Sequence, residues 1–219
     1  MTIVFGDAHG CYEQILALMD LIGPSADDLV ISVGDFVDRG PDSPACVEFI
    51  KNHGSVMGNH EYKHVRFRQG ILEALSPSQM QARAQFRSEE EYGAAVDFMA
   101  ILPFYLDLPE ATIVHAGLEY GIPMNEQDRI VLVGGMSKQH ICGIDPQTGL
   151  PFWCARYPRD AKPMIFGHLS FGGDIPRNEN LFPLDTGCCA GGKLTAVTLP
   201  DFRIYQVPGW QGREYRCFP

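Results

Sequence analysis

Three times in its first 60 residues the chain runs from a short β-prone stretch into a glycine followed by a polar residue. Residues 2–5 lead into Gly6-Asp7-Ala8-His9-Gly10, residues 29–33 into Gly34-Asp35-Phe36-Val37-Asp38-Arg39-Gly40, and residues 55–57 into Gly58-Asn59-His60-Glu61. The stretches are continuously apolar rather than alternating, which suits strands covered on both faces. Between them, Ile15, Leu16, Leu18 and Met19 fall at helical spacing over about 12–21, and Ala45, Val47, Phe49 and Ile50 do so over 43–51. Repetition of strand, turn and helix specifies an α/β chain, and in such sheets ligands gather at the carboxyl ends of the strands. A lone Asp-x-His is an ordinary surface turn; three such clusters on neighbouring strand ends converge on one crevice.

The pattern then changes. Residues from about 62 to 100 read as a mostly helical excursion, with Pro77 as a break and with Lys63, Arg66, Arg68, Arg83 and Arg87 along it. Strands are expected again over 104–108, 112–115, 130–133 and 164–166, with a closing hairpin over 195–199 and 202–207. Residues 134–163 mix Gly, Pro, Cys and aromatic residues without a period, as in a substrate-facing loop or an irregular cover. No repeat or linker marks a boundary, so residues 1–219 are expected to form one domain. Two of the later strands end in histidine: His115 in Val114-His115-Ala116-Gly117, and His168 in Phe166-Gly167-His168.

Aspartate, asparagine and histidine on several strand ends suit a pair of divalent ions. A carboxylate on a sharp turn can bridge two ions, and imidazole favours transition metals and zinc over magnesium or calcium. Asp35 is assigned as the bridge, Asp7 and His9 complete one site, and Asn59, His115 and His168 complete the other. Manganese is the first expectation, with iron or zinc as the other fitting ions.

The order GDAHG, GDFVDRG, GNHE, HAG, GH covers nearly the whole chain and resembles the calcineurin-like metallophosphoesterase superfamily, specifically its phosphoprotein-phosphatase-type branch. The resemblance implies a β-sandwich of two mixed sheets flanked by helices, two metals at the positions assigned above, and hydrolysis of phosphoesters by a metal-bridging hydroxide. The stretch from Leu184-Asp185-Thr186-Gly187-Cys188-Cys189 to Lys193-Leu194-Thr195-Ala196 is similar to that of bacterial symmetrical dinucleoside tetraphosphatases and bacterial polynucleotide phosphatase modules. Small bacterial protein phosphatases share the front motifs. Within this scheme His60 protonates the leaving oxygen, Asp38 orients its imidazole, and Arg39 clamps the phosphate, which Asn59 and His60 also meet.

Two features depart from the family pattern. Related phosphatases carry a further arginine in a Trp-x-Arg-like element, whereas residues 130–136 have none; Arg156, after Trp153, or Arg159 is the substitute, set against an ordinary loop arginine. His168 is followed by Leu169-Ser170 where relatives have threonine and proline. Lys63, His64, Arg66 and Arg68 either receive a second phosphate or a nucleotide, or form a plain polar helix face. Gly10, Gly40 and Gly117 are expected to permit tight turns.

Composition narrows the partners. Lys plus Arg number 17 against 27 Asp plus Glu, a formal net charge of -10, which argues against general double-stranded nucleic-acid binding and requires a local positive site for an anionic substrate. No apolar run approaches the ~20 residues of a membrane span, and no secretory pattern opens the sequence, so a cytoplasmic location is expected. Cysteines 11, 46, 142, 154, 188, 189 and 217 form no Cys-x-x-Cys element and are expected as reduced packing groups. The leading function is hydrolysis of phosphomonoesters, phosphoprotein side chains among them. The alternatives are symmetrical dinucleoside tetraphosphate hydrolysis, 2',3'-cyclic phosphodiesterase or 3'-phosphatase action on polynucleotide ends, and a non-enzymatic metal-binding scaffold. The partner is thus a phosphorylated small molecule, a nucleotide or a phosphoprotein.

Overall fold

The computed structural model describes residues 1–119, 121–134, 147, 152–171 and 180–212. In chain order its elements are β1 (Thr2–Phe5), α1 (Tyr12–Ile22), β2 (Leu29–Ser32), α2 (Ser43–Lys51), β3 (Gly54–Ser55), α3 (Asn59–Arg68), α4 (Pro77–Arg83) and α5 (Glu89–Met99). There follow β4 (Tyr105–Asp107), β5 (Thr112–Val114), α6 (Arg129–Leu132), β6 (Met164–Phe166), β7 (Leu181–Pro183), β8 (Lys193–Leu199) and β9 (Ile204–Pro208). One sheet has the order β3-β2-β1-β8-β9 and the other β4-β5-β6-β7. Both are mixed: β1 to β3 pair in parallel and β8 and β9 antiparallel, while β5 to β7 are parallel and β4 antiparallel.

Alternation along the strands builds three apolar layers. Ile3 and Phe5 of β1 face α1, α2 and α5, whereas Val4 joins Ile31, Ile113, Ile165 and Val197 between the sheets. On β6, Ile165 points inward while Met164 and Phe166 pack outward on Trp153 and Leu132. Both faces of the central strands are therefore covered, the physical reason their sequences are continuously apolar. Each fully buried side chain of this kind contributes about 1.5–3 kcal/mol.

Most of the expected elements form, α2 with the expected bounds. Asp42 caps it by accepting a hydrogen bond from the Ala45 amide at 2.9 Å. Four differences stand out. Residues 130–133, expected as a strand, lie in and just beyond the short helix α6. A four-residue apolar run has no period of its own, and the Asp128 carboxylate, 2.9 Å from the Ile130 amide, caps a helix there while Val131, Leu132 and Val133 are buried. Pro77 opens α4 rather than breaking a helix, in the first-turn position where its missing N–H costs nothing. The helical excursion begins at Asn59, and β7 carries no sequence signal strong enough to have been expected. Of the three glycines expected in tight turns, Gly10 has a positive φ of 70°, whereas Gly40 and Gly117 serve close packing against the His9 carbonyl and the Trp153 ring. Part of 134–163, with Cys142, His140 and also Cys217, lies outside the described residues; the other five cysteines are free and buried.

Candidate metal centre

The two parallel blocks bring their strand ends together. Asp7, Asp35 and Asn59 follow β1, β2 and β3; His115, His168 and Asp185 follow β5, β6 and β7. Sharp turns aim the side chains inward, and the backbone records their cost. Among the described non-glycine residues, positive φ occurs at His9, Asp35, Asp38, Arg39, His168 and Phe202, so all but one belong to the crevice. Each such residue costs about 1–2 kcal/mol, and the loop is held against that cost by Glu61. Its buried carboxylate accepts from the amides of Asp35 (2.8 Å), Phe36 (3.0 Å), Val37 (3.2 Å) and Gly58 (3.1 Å). Burial, then the Asp35 charge, raises the Glu61 carboxyl, while the Asp35 and Val37 amides pull the other way. Gly58 leaves no room for a Cβ, which would meet Asp35.

One half of the crevice is tightly assembled. Asn59 Oδ1 lies 2.9 Å from His168 Nδ1 and 3.1 Å from His115 Nε2, and His115 Nε2 lies 3.4 Å from Asp35 Oδ2. The His115 ring is oriented by an Nδ1–H bond of 2.9 Å to the Val33 carbonyl, leaving Nε2 pointing inward. Inverting the Asn59 amide would let its NH₂ donate to all three neighbours. An amide oxygen, two imidazole nitrogens and a carboxylate facing one another are, however, the donor set of a transition-metal ion, and that chemistry favours the oxygen-inward placement.

The other half is arranged differently. His9 donates through Nδ1 to the Val37 carbonyl at 3.0 Å, so its Nε2 faces Asp35 Oδ2 at 3.8 Å. His60 Nε2 lies 3.9 Å from the same oxygen. The ligand atoms of His9, Asp35 and His60 lie within 4.8 Å of one another, as do those of Asp35, His115 and His168. Asp7 stands further back, its carboxylate accepting from the His168 amide at 3.1 and 3.3 Å. Arg39 reaches across, with Nη1 2.9 Å from His9 Nε2 and Nη2 3.1 Å from His60 Nε2, rather than pairing with Asp38 or Asp42.

His60 Nδ1 is 2.6 Å from Asp38 Oδ2, the pairing expected from the sequence. Asp38 is shared: its Oδ1 lies 2.8 Å from His64 Nε2, and His64 Nδ1 lies 2.9 Å from the Tyr92 hydroxyl. Despite burial, these two imidazoles hold the Asp38 carboxyl down to about 2. His64, read from the sequence as a phosphate-receiving or plain polar helix residue, is instead buried against Asp38, because tertiary packing brings α5 against α3. Asp185, to which the sequence assigns no role, is buried and raised first by burial; in turn it helps burial raise Asp7. The buried Asp35 carboxylate draws His115 up to about 10 against the cost of burial. Such a concentration of buried carboxylates calls for positive charge, so the residues fit a pair of divalent ions. Arg156 ends the short 3-10 turn Phe152–Arg156, is exposed, and makes no hydrogen bond or ion pair among the described residues; Arg159 is exposed as well.

Two mixed sheets flanked by helices, with Asp, Asn and His on their strand ends, define a metal-dependent phosphoesterase. Residues 2–136 match the calcineurin-like phosphoesterase family, and the chain belongs to it. A symmetrical bis(5'-nucleosyl)-tetraphosphatase of Methylobacillus flagellatus is 27% identical over 94% of this chain and 95% of its own. The asymmetrical bis(5'-nucleosyl)-tetraphosphatase PrpE of Halalkalibacterium halodurans is 29% identical over 99% of this chain and 98% of its own. A crystal structure provisionally described as a diadenosine tetraphosphatase superposes with a TM-score of 0.78 and 26% identity, covering 96% of this chain and 94% of that one. A protein serine/threonine phosphatase from Saccharomyces cerevisiae shares the fold at a TM-score of 0.60 and 18% identity, covering 100% of this chain and 81% of its own. No helix among the described residues is long and apolar enough to cross a membrane.

Proposed function

We propose that this chain hydrolyses the phosphoanhydride chain of dinucleoside tetraphosphates, acting as one domain over residues 1–219. The observation that carries the chemistry is the inward-facing set of Asp35, Asn59, His115 and His168, within 3.4 Å of one another in successive pairs. The substrate class is supported by relatives matched almost end to end and named for that activity. Asp35 would be shared between two divalent ions, with Asp7 and His9 on one and Asn59, His115 and His168 on the other. Ions bound there would supply Lewis acidity toward phosphate oxygens and lower the pKa of the attacking water. Three imidazoles suit manganese, iron or zinc.

The chain's own groups supply the rest. Arg39, aimed at the same volume as His9 and His60 Nε2, clamps non-bridging phosphate oxygens with its two-pronged guanidinium. His60, held through Nδ1 by Asp38, presents Nε2 to the leaving phosphate oxygen and delivers a proton there. The Asp38 carboxylate, bonded on its other side to His64, steadies the imidazolium.

The test is product analysis by ion-exchange chromatography of diadenosine tetraphosphate treated with manganese-loaded protein. Symmetrical cleavage gives two ADP, and asymmetrical cleavage gives ATP and AMP. Slow turnover of this substrate beside fast release of phosphate from phosphoserine peptides or p-nitrophenyl phosphate would reject the dinucleotide reading in favour of the phosphomonoester one. Fast opening of 2',3'-cyclic AMP would favour polynucleotide ends.

A further inference from the structure

We infer that Lys63 supplies the second cationic contact to the substrate phosphate, on the flank of the centre opposite Arg39. The inference rests on Asn59 being a metal ligand through its oxygen. With Oδ1 turned toward His115, His168 and Asp35, the amide nitrogen faces outward, and Lys63 Nζ lies 3.2 Å from that atom. Both groups can only donate. Two donors side by side at the edge of a phosphate-hydrolysing centre require an acceptor between them, and a phosphate oxygen is one.

Placement and charge agree. Lys63 lies four residues beyond Asn59 on α3, hence one turn along the same face. It is half-buried. Four other cations of this acidic chain are committed to carboxylates: Lys51 to Glu48, Arg68 to Asp97, Arg83 to Glu89 and Lys162 to Asp107. Lys63 forms no ion pair among the described residues. Arg39 covers His9 and His60 on the other side, so a phosphate between the two flanks would meet a cation on each. The family resemblance puts this second contact on an arginine that residues 130–136 lack, with Arg156 or Arg159 as the substitute; the geometry points to a lysine on α3 instead.

The test is calorimetric titration of orthophosphate into protein carrying two manganese ions per chain, with ion content measured by mass spectrometry in every variant. Lys63→Met, which keeps the stem and removes the charge, is expected to weaken orthophosphate binding roughly tenfold or more, with both ions retained. Lys63→Arg is expected to recover most of the loss, and Lys51→Met, a control for net charge, to change nothing. Lys63→Gln provides the same reading should the methionine variant fold poorly. Unchanged orthophosphate affinity in Lys63→Met or Lys63→Gln at full ion content overturns the inference. Loss of an ion with phosphate affinity preserved at saturating manganese also overturns it, and makes Lys63 a support for Asn59. A wild-type protein that binds orthophosphate through Lys63 yet leaves diadenosine tetraphosphate intact would contradict the proposed function and not this contact.

Discussion

The two halves of the crevice share Asp35 but differ in readiness. Around Asn59, His115 and His168 the donor atoms already face one another at 2.9 to 3.4 Å. Around His9 the neighbouring atoms are more widely spaced, Asp7 is turned to the His168 amide, and the Arg39 guanidinium lies on His9 and His60. One half has its ligand atoms already gathered from elements of both sheets; the other is spanned by the exposed Arg39 side chain, which a metal ion must displace from His9. Preorganisation lowers the cost of binding, so manganese should enter the histidine-rich half first.

The largest effect tests what the halves have in common. Asp35→Asn is expected to reduce bound manganese below two ions per chain and to lower kcat by roughly 10³-fold or more, since several kcal/mol of transition-state stabilisation depend on the ions. Two retained ions with near-normal turnover would remove Asp35 as the shared ligand. In a stepwise manganese titration, His115→Ala should abolish the tighter step and His9→Ala the weaker. The reverse order would mean that Arg39 does not hinder its half.

Next comes His60. If it is the proton donor, His60→Asn should keep both ions and lose roughly 10²-fold in kcat on an alkyl phosphate, with a smaller loss on p-nitrophenyl phosphate, whose leaving group needs the proton less. Asp38→Asn should show a weaker version of the same trend. Equal losses across leaving groups of very different pKa, with ion content confirmed, would leave His60 a phosphate-binding or structural residue.

Arg39→Ala should weaken vanadate inhibition and lower kcat/KM by roughly tenfold through loss of a charge-assisted contact, while manganese affinity of the His9 half rises because a competing cation is gone. Vanadate inhibition equal to wild type would reject the clamp. The smallest effect on chemistry is expected from Glu61→Gln. An amide NH₂ facing backbone N–H groups leaves donors unpaired and should cost about 1–3 kcal/mol of stability, visible in calorimetry as a drop of a few degrees or more in Tm; an unchanged Tm would mean the turn holds without that carboxylate.

The asymmetry also runs through what could be read from the chain. Strand, turn and helix over β1 to α2 were legible because each apolar run stops at glycine and a polar residue, and the helices between them carry apolar residues at helical spacing. In the second sheet the signals were weaker. Residues 130–133 have no period, and β7 spans Leu181–Pro183 alone. The histidines at 115 and 168 nevertheless follow β5 and β6, as the polar residue at each strand end had signalled locally.

Local spacing thus determined the candidate ligand types and the strand ends that carry them, because each depends on a few consecutive residues whose backbone conformation is nearly fixed by glycine, proline and apolar runs; the pairing of His60 with Asp38, 22 residues apart, came from the family resemblance. Tertiary structure alone decided the four amides gathered by Glu61, the His64–Tyr92 extension of Asp38, the position of Asp185 beside Asp7, and the approach of Lys63 to Asn59. Those relations join residues on different strands and helices, or depend on which way a side chain turns once its neighbours are in place. Their energies come from burial and from charges meeting at a few ångströms, quantities that do not exist until the two sheets have closed on one another.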